Sequence, residues 1–208
     1  MKPTTTLFLT FCAAALVAST AVAAGEEPAV AKLGEPVGDF TLVDAAGVKR
    51  SLSDYKGKLV VLEWINPQCP FVQGCYKTKA MQKAYEKVKA LDKGVVWLAI
   101  NTTWSTSQEE NQLWIRRYEL KYPILIDFDG DVGRLYDARK TPHMYVIDKE
   151  GILRYHGAID DNKFLSKPQD KATNYVVNAV RQIVDGETVT PNYVSPYGCS
   201  VKHKPRRQ

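Results

Sequence analysis

Apolar and polar positions along the chain follow two alternating periods. Short segments that are almost wholly apolar, or apolar at every second position, predict strands over 39–44, 48–52, 59–65, 94–100, 124–127, 144–148 and 152–156. Segments with an apolar residue every three or four positions predict helices over 70–92, 107–120, 131–138 and 171–184. From residue 188 onward no clear period remains.

The order of these elements predicts an α/β fold. The strands at 59–65 and 94–100 are almost continuously apolar, which is typical of strands covered on both faces of a sheet. Strands alternate with helices, and the chain then forms a hairpin at 144–156 and a last helix. We therefore expect a central mixed sheet flanked by helices.

The chain of 208 residues is long enough for one domain with a substantial core. Its N-terminus has one positive charge, an apolar run over 7–18 and small residues at 21–24, which together predict a secretory signal peptide over 1–24. We expect the folded domain at 25–187 and a cysteine-containing C-terminal tail at 188–208. The signal peptide predicts a periplasmic or secreted protein.

The charge pattern excludes some classes of partner. The net charge of +5 is modest, and part of it lies in the last residues, as is usual for a solvated chain end. Nowhere does a basic stripe alternate with aromatic residues, so we expect no nucleic-acid binding. The apolar N-terminal run is short for a membrane span, so any membrane association is expected to be peripheral.

Four cysteines are present, and Cys12 lies inside the predicted signal peptide. Of the other three, Cys69 follows a predicted buried strand and precedes Pro70, which suits the first position of a helix. The unpaired N–H groups and partial positive charge of a helix N-terminus favour a thiolate, so Cys69 is the candidate nucleophile. The alternative is that Cys69 is a small buried hydrophobic residue.

The second thiol has two candidates. Cys75 is six residues after Cys69, a rise of about 9 Å in an unbroken helix, whereas a disulfide spans at most about 7 Å between Cα atoms. A Cys69–Cys75 disulfide would therefore need the first helical turn to unwind, which Gly74 makes easier. Cys199 lies on the tail after Gly198 and can fold back. Cys199 either resolves an intermediate on Cys69 or forms a structural disulfide with Cys75, and both alternatives remain open.

Several stretches resemble one family. Residues 38–42, 51–58 and the strand ending at Cys69, together with Thr141–Pro142 and the segment 145–151, are similar to thioredoxin-fold redoxins of the alkyl-hydroperoxide-reductase/thiol-specific-antioxidant (AhpC/TSA) and TlpA-like branch. The resemblance implies a thioredoxin-like fold, with Cys69 as nucleophile and Pro142, after Thr141, as the cis-proline facing it. It also implies that Glu63 is a buried acid that moves protons, although a lone acid on this strand can instead lie at the surface.

The sequence departs from two patterns of that branch. Val72 stands where a C-x-x-C motif would have its second cysteine, so a dithiol mechanism through that motif is not available. Asn66 and Leu62 stand where a typical peroxiredoxin has a hydroxyl residue and a proline.

The sequence thus predicts a thiol-based oxidoreductase without a bound cofactor or metal. Its expected partner is a protein disulfide or thiol, or a small hydroperoxide. Two alternatives remain: a Cu(I)-binding module that uses Cys69, Cys75 and His143, or a non-catalytic thioredoxin fold that binds a partner protein.

Overall fold

The computed structural model describes residues 30–205 of the chain. The predicted signal peptide at 1–24, with Cys12, lies outside the described residues, as do the first five residues of the predicted domain and the last three of the tail. None of the helices within 30–205 combines the length and the apolar character needed to cross a bilayer.

The strands of the described part are short, and most coincide with the predicted segments. They are β1 (Thr41–Asp44), β2 (Lys49–Ser51), β3 (Val60–Ile65), β4 (Val96–Asn101), β5 (Ile124–Ile126), β6 (Lys140–Thr141), β7 (His143–Ile147), β8 (Leu153–Gly157), β9 (Tyr193–Val194) and β10 (Cys199–Ser200). The helices are α1 (Pro70–Lys77), α2 (Ala80–Leu91), α3 (Gln108–Tyr118), α4 (Asp131–Leu135) and α5 (Tyr175–Val184), with a 3-10 turn at Leu52–Tyr55.

Eight strands form one mixed sheet in the order β2-β1-β5-β4-β3-β7-β8-β9. β3 lies at its centre, parallel to β4 and antiparallel to β7. The remaining two strands, β6 and β10, form a separate antiparallel pair. The structure confirms the predicted α/β fold with a central mixed sheet.

Side chains on the two faces of β3 belong to two different cores. Val61 and Ile65 pack among residues from α1, α2, α3 and α5, whereas Leu62 and Trp64 pack on the opposite face with residues from α4. This alternation is expected for a strand covered on both sides. Glu63 points to the same face as Val61, so a carboxyl group lies inside the larger core.

The single helix predicted over 70–92 is wrong, because the structure has two helices there. α1 ends at Lys77, and Lys79 adopts a left-handed conformation with φ of 61° before α2 begins. The Thr78 hydroxyl donates to the carbonyl groups of Gly74 at 2.9 Å and Cys75 at 3.2 Å. These bonds satisfy carbonyls at the end of α1, so the helix can end there without an unpaired acceptor.

The tail contains structure that the sequence pattern did not predict. β9 pairs in parallel with β8, so the tail extends the edge of the main sheet. Gly157 makes this pairing possible, because a Cβ atom at that position would lie 2.0 Å from the carbonyl oxygen of Val194. Beyond β9 the chain continues to β10, which pairs with β6.

Candidate active site

Cys69 lies at the junction between β3 and α1, where the sequence predicts it. It is the N-cap residue of α1, and Pro70 occupies the first turn. The turn before it is held by the Cys69 N–H, which donates to Asn66 O at 2.9 Å, and by Gln68 N–H, which donates to Asn66 Oδ1 at 2.8 Å. The Asn66 side chain therefore stabilises the turn that immediately precedes Cys69.

The peptide bond between Thr141 and Pro142 is cis, and it faces this cysteine. The Cys69 thiol donates a hydrogen bond to the Thr141 carbonyl oxygen at 3.1 Å. The predicted juxtaposition of Cys69, Thr141 and a cis Pro142 is therefore present in the structure.

Cys199 is brought to the same place by strand pairing. In the β6–β10 pair Cys199 lies directly opposite Thr141, and Ser200 lies opposite Lys140. The residue before it, Gly198, has φ of +114°, and a Cβ atom there would lie 2.1 Å from the Thr141 carbonyl oxygen. A glycine is therefore required for the tail to approach the cis-proline segment so closely.

The electrostatics of the two thiols differ. Burial raises the pKa of Cys69, but the nearby Cys199 thiol, Val72 N–H and Thr141 hydroxyl outweigh it and lower that pKa below its usual value. The Thr141 hydroxyl is buried and has no hydrogen-bond partner within the described residues, so it is available to a thiolate on Cys69. Burial and the neighbouring Cys69 raise the pKa of Cys199. Cys69 is thus the better thiolate and Cys199 the better proton donor.

A nucleophilic cysteine at a strand–helix corner would be expected to be accessible, but Cys69 is buried. Its relative exposure is 1%, and it packs in the larger core beside Tyr197 and Cys199 of the tail. The sequence places the sulfur at a strand–helix corner, where solvent would reach it, and it indicates that the tail can fold back but not that the tail covers this corner. Reaction at this sulfur with anything other than Cys199 therefore needs a local opening.

Cys75 lies in a different environment from Cys69. It is buried in α1, and its sulfur is 3.9 Å from the Tyr197 hydroxyl, which donates to Asp160 Oδ1 at 2.6 Å. Burial raises the pKa of Cys75 to about 12, and the negative charge of Asp160 is the second largest cause of this rise. A thiol in this state is a poor nucleophile near neutral pH.

Glu63 is fully buried, and so is not the surface acid of the alternative interpretation. Its Oε1 accepts a hydrogen bond from the Tyr76 hydroxyl at 2.7 Å, and its Oε2 accepts from Trp97 Nε1 at 2.9 Å and from the Tyr122 hydroxyl at 3.2 Å. Burial raises the pKa of Glu63 to about 7, although these three donors oppose the rise. Its charge also acts on Cys75, whose pKa it helps to raise.

His143 is buried and engaged with groups away from the cysteines. Its Nδ1 lies 3.1 Å from the Tyr145 hydroxyl, and its Nε2 lies 3.3 Å from His156 Nδ1. Burial, with the neighbouring His156 and Arg139, lowers the pKa of His143 to about 3, so the ring is neutral. Within residues 30–205, no group of three or more His, Cys, Asp or Glu side chains is arranged to hold a metal ion.

Sequence reasoning missed several residues that shape this site. Tyr197 and Asp160 form the buried pair beside Cys75, and Gly198 allows the tail to reach Thr141. The juxtaposition of Tyr197, Gly198 and Cys199 in sequence was the available signal, because a glycine next to a functional cysteine often marks a close backbone approach.

Comparison with known proteins places the chain in a family. The model of the AhpC/TSA family matches residues 33–156, which is more than half of the chain and ends before Cys199. The thiol-disulfide oxidoreductase ResA of Bacillus thuringiensis subsp. konkukian is 31% identical over 121 residues, 58% of this chain and 66% of that protein. The chain thus matches slightly less than two thirds of the length of this relative.

Two solved structures have a similar fold. An uncharacterized conserved protein from Geobacillus kaustophilus superposes with a TM-score of 0.73 at 26% identity, covering 85% of this chain and 94% of that one. A protein from Chlorobium tepidum assigned as the thiol:disulfide interchange protein DsbE has a TM-score of 0.53 at 23% identity, covering 61% and 84%. The chain has a thioredoxin-like fold and belongs to the AhpC/TSA family.

Proposed function

We propose that this protein is a thiol-dependent oxidoreductase in which Cys69 is the nucleophile and Cys199 the resolving cysteine. The observation that carries the proposal is the β6–β10 pairing, which sets Cys199 opposite Thr141, the residue whose carbonyl accepts the Cys69 hydrogen bond. Two thiols with opposite pKa shifts then lie side by side. ResA, similar in sequence, is named for thiol–disulfide exchange, which supports a disulfide as the oxidant.

The reaction needs two exchange steps. The Cys69 thiolate attacks one sulfur of a substrate disulfide, forming a mixed disulfide and releasing the other sulfur as a thiolate, which takes up a proton. Cys199 then loses its proton and attacks the Cys69 sulfur, which forms the Cys69–Cys199 disulfide and releases the second substrate thiol. The substrate gains two electrons and two protons, and the protein dithiol loses them. An external dithiol reductant restores the protein.

The other predicted residues have supporting roles in this proposal. The Thr141 carbonyl accepts a hydrogen bond from the neutral Cys69 thiol, and the Thr141 hydroxyl stabilises the Cys69 thiolate. Pro142 keeps this segment next to the sulfur. Glu63 ionises near neutral pH, but its oxygens are engaged by two tyrosines and a tryptophan rather than by a sulfur. We propose that Glu63 acts as a buried proton store whose charge is felt along α1.

The partner in this proposal is a protein that carries a disulfide or a pair of thiols. The predicted signal peptide supports a periplasmic or secreted location, where disulfides persist. A hydroperoxide is the competing oxidant. It would oxidise Cys69 to a sulfenic acid. The Cys199 thiol would then condense with that sulfenic acid, forming the same disulfide and releasing water.

The test is to trap the intermediate. The reduced full-length protein is mixed with a peptide disulfide or, in parallel, with hydrogen peroxide, and the products are mapped by mass spectrometry. We expect a Cys69–Cys199 disulfide in the wild type, and a persistent mixed disulfide on Cys69 in Cys199→Ser. Cys75→Ser is the matched control and should react like the wild type, because its thiol is buried with a raised pKa.

Two results would contradict the proposal: a disulfide that contains Cys75, or a Cys199→Ser protein that resolves the mixed disulfide as fast as the wild type. Faster reaction with peroxide than with the peptide disulfide would assign the hydroperoxide as oxidant and leave the roles of the two cysteines in place.

A further inference from the structure

Residues 199–204 of the tail form a segment that lies along the cis-proline loop; we call it the strap. Beyond the β6–β10 pairing, Val201 N–H donates to Arg139 O at 3.1 Å, and Trp104 N–H donates to Lys202 O at 3.4 Å. Further along, Lys204 Nζ lies 2.9 Å from Asp129 Oδ1. The strap therefore contacts the segment before β6 and the loops that follow β4 and β5.

The strap occupies the backbone edge that borders Cys69. β6 is only two residues long, and in the described structure its pairing partner is β10. The sulfur of a residue that is only 1% exposed cannot be attacked in line by an external disulfide, since attack requires access to the thiolate. In the proposed reaction the strap must leave β6 before a protein substrate can reach Cys69.

The strap is held by backbone hydrogen bonds, by the partly buried Val201 and His203 and by one exposed ion pair, whereas the anchor that precedes it is buried. The Lys204–Asp129 ion pair joins side chains that are 58% and 78% exposed, and such pairs contribute little to stability. Tyr197, in contrast, is buried and bonded to Asp160. Gly198 separates the anchor from the strap, and its lack of a side chain suits a hinge.

We propose that the strap is an internal occupant of the β6 edge that an extended, cysteine-bearing segment of a partner protein displaces. This inference rests on the proposed function and names its substrate class. The incoming segment pairs antiparallel with Lys140–Thr141, and its cysteine takes the position of Cys199, opposite Thr141 and next to the Cys69 sulfur. Formation of the Cys69–Cys199 disulfide ties the strap down, and its reduction frees the edge again.

The first experiment measures the opening without turnover. The reduced full-length Gly198→Ala protein is compared with the wild type in its rate of Cys69 alkylation by iodoacetamide, followed by peptide mapping. The added methyl group would overlap the Thr141 carbonyl, so we expect alkylation at least about tenfold faster. Gly186→Ala is the matched control, because Gly186 also has a positive φ but a Cβ atom there meets nothing within 4 Å.

A second variant guards against misfolding of the first. Val201→Pro removes the N–H that Arg139 O accepts, and leaves the Gly198 hinge intact. This variant should also raise the rate of Cys69 alkylation, and its far-UV circular dichroism spectrum should match that of the wild type. Alkylation at the wild-type rate in both folded variants would overturn the proposal that the strap covers the sulfur.

The second experiment tests the substrate class. A fluorescein-labelled synthetic peptide with the sequence of residues 195–204 and the change Cys199→Ser is titrated with each protein, and anisotropy is recorded. We expect the reduced Gly198→Ala protein to bind it at least about tenfold more tightly than the Gly186→Ala control. The wild type oxidised to the Cys69–Cys199 disulfide should not bind. If alkylation accelerates while the peptide binds no variant, the strap is a cover and the strand-pairing substrate is refuted.

These readouts separate the two proposals. Alkylation and peptide binding require no electron transfer, so they remain informative if Cys199 fails to resolve the mixed disulfide. Conversely, a trapped Cys69 intermediate in Cys199→Ser would support the proposed function even if the strap proves not to be displaced.

Discussion

Replacing Glu63 by glutamine should remove most of the pH dependence that this side chain gives to stability. In the folded protein burial raises the pKa of Glu63 to about 7, from 4.5 for the exposed group. Between these values the unfolded chain has lost the proton and the folded chain retains it. Unfolding therefore releases a proton, and stability falls as pH rises through this window and is constant above it.

The size of the effect follows from the same two values. Each pKa unit corresponds to about 1.4 kcal/mol, so Glu63 removes about 3 kcal/mol of stability once pH exceeds 7, and most of this is lost between pH 5 and pH 8.

Glutamine fits the hydrogen-bond network. Its oxygen accepts from Trp97 and Tyr122, and its amide donates to the Tyr76 hydroxyl, which in turn donates to Tyr122, 3.2 Å away.

The assay is urea unfolding of the reduced proteins at pH 5, 6, 7 and 8, followed by far-UV circular dichroism. The free energy of unfolding of Glu63→Gln, relative to that of the wild type, should rise by about 2–3 kcal/mol between pH 5 and pH 8. Glu86→Gln, at an exposed position of α2, is the control and should follow the wild type. Curves for Glu63→Gln and wild type that run parallel over this range would refute the reasoning, because a buried carboxyl that ionises near 7 cannot give that result.

Two further predictions concern how the tail is attached. Tyr197→Phe removes the hydroxyl that donates to Asp160 Oδ1 at 2.6 Å, and because Asp160 is buried we expect a loss of about 1–3 kcal/mol in urea unfolding; an unchanged midpoint would contradict this. Gly157→Ala places a Cβ atom 2.0 Å from the Val194 carbonyl oxygen, so β9 should detach from β8. Hydrogen exchange should then become faster at His156 and Ala158, whose N–H groups donate to the tail, while Gly151→Ala, with open space at its Cβ, should leave it unchanged.

The parts of the structure that the sequence predicted are those governed by local pattern. The apolar run before Cys69 predicted a buried strand, but it left Glu63 with two alternatives, a buried acid or a surface acid, and the structure shows the buried one. Pro70 marked the start of α1, and the family resemblance at Thr141–Pro142 implied the cis bond. In each case the signal lies within a few residues of the feature that it predicts.

The parts that could not be predicted depend on contacts between distant segments. Cys69 is buried in a core that includes residues of a tail about 130 positions later, and the sequence indicated that this tail can fold back but not that it packs over Cys69. Its two short strands form because β6 and β8 offer free edges, which pattern alone does not reveal. The break between α1 and α2 was missed because Thr78 and Lys79 have no strong preference against helix.

The separation in sequence of Cys69 and Cys199 couples electron transfer to folding. A disulfide within a C-x-x-C motif closes a loop of a few residues, whereas a Cys69–Cys199 disulfide would enclose most of the domain. Because it would restrict the unfolded chain, it would stabilise the folded state by about 5 kcal/mol. By thermodynamic linkage, folding would make that disulfide harder to reduce by the same amount. The reducing partner must then supply a driving force that a short-range pair would not demand.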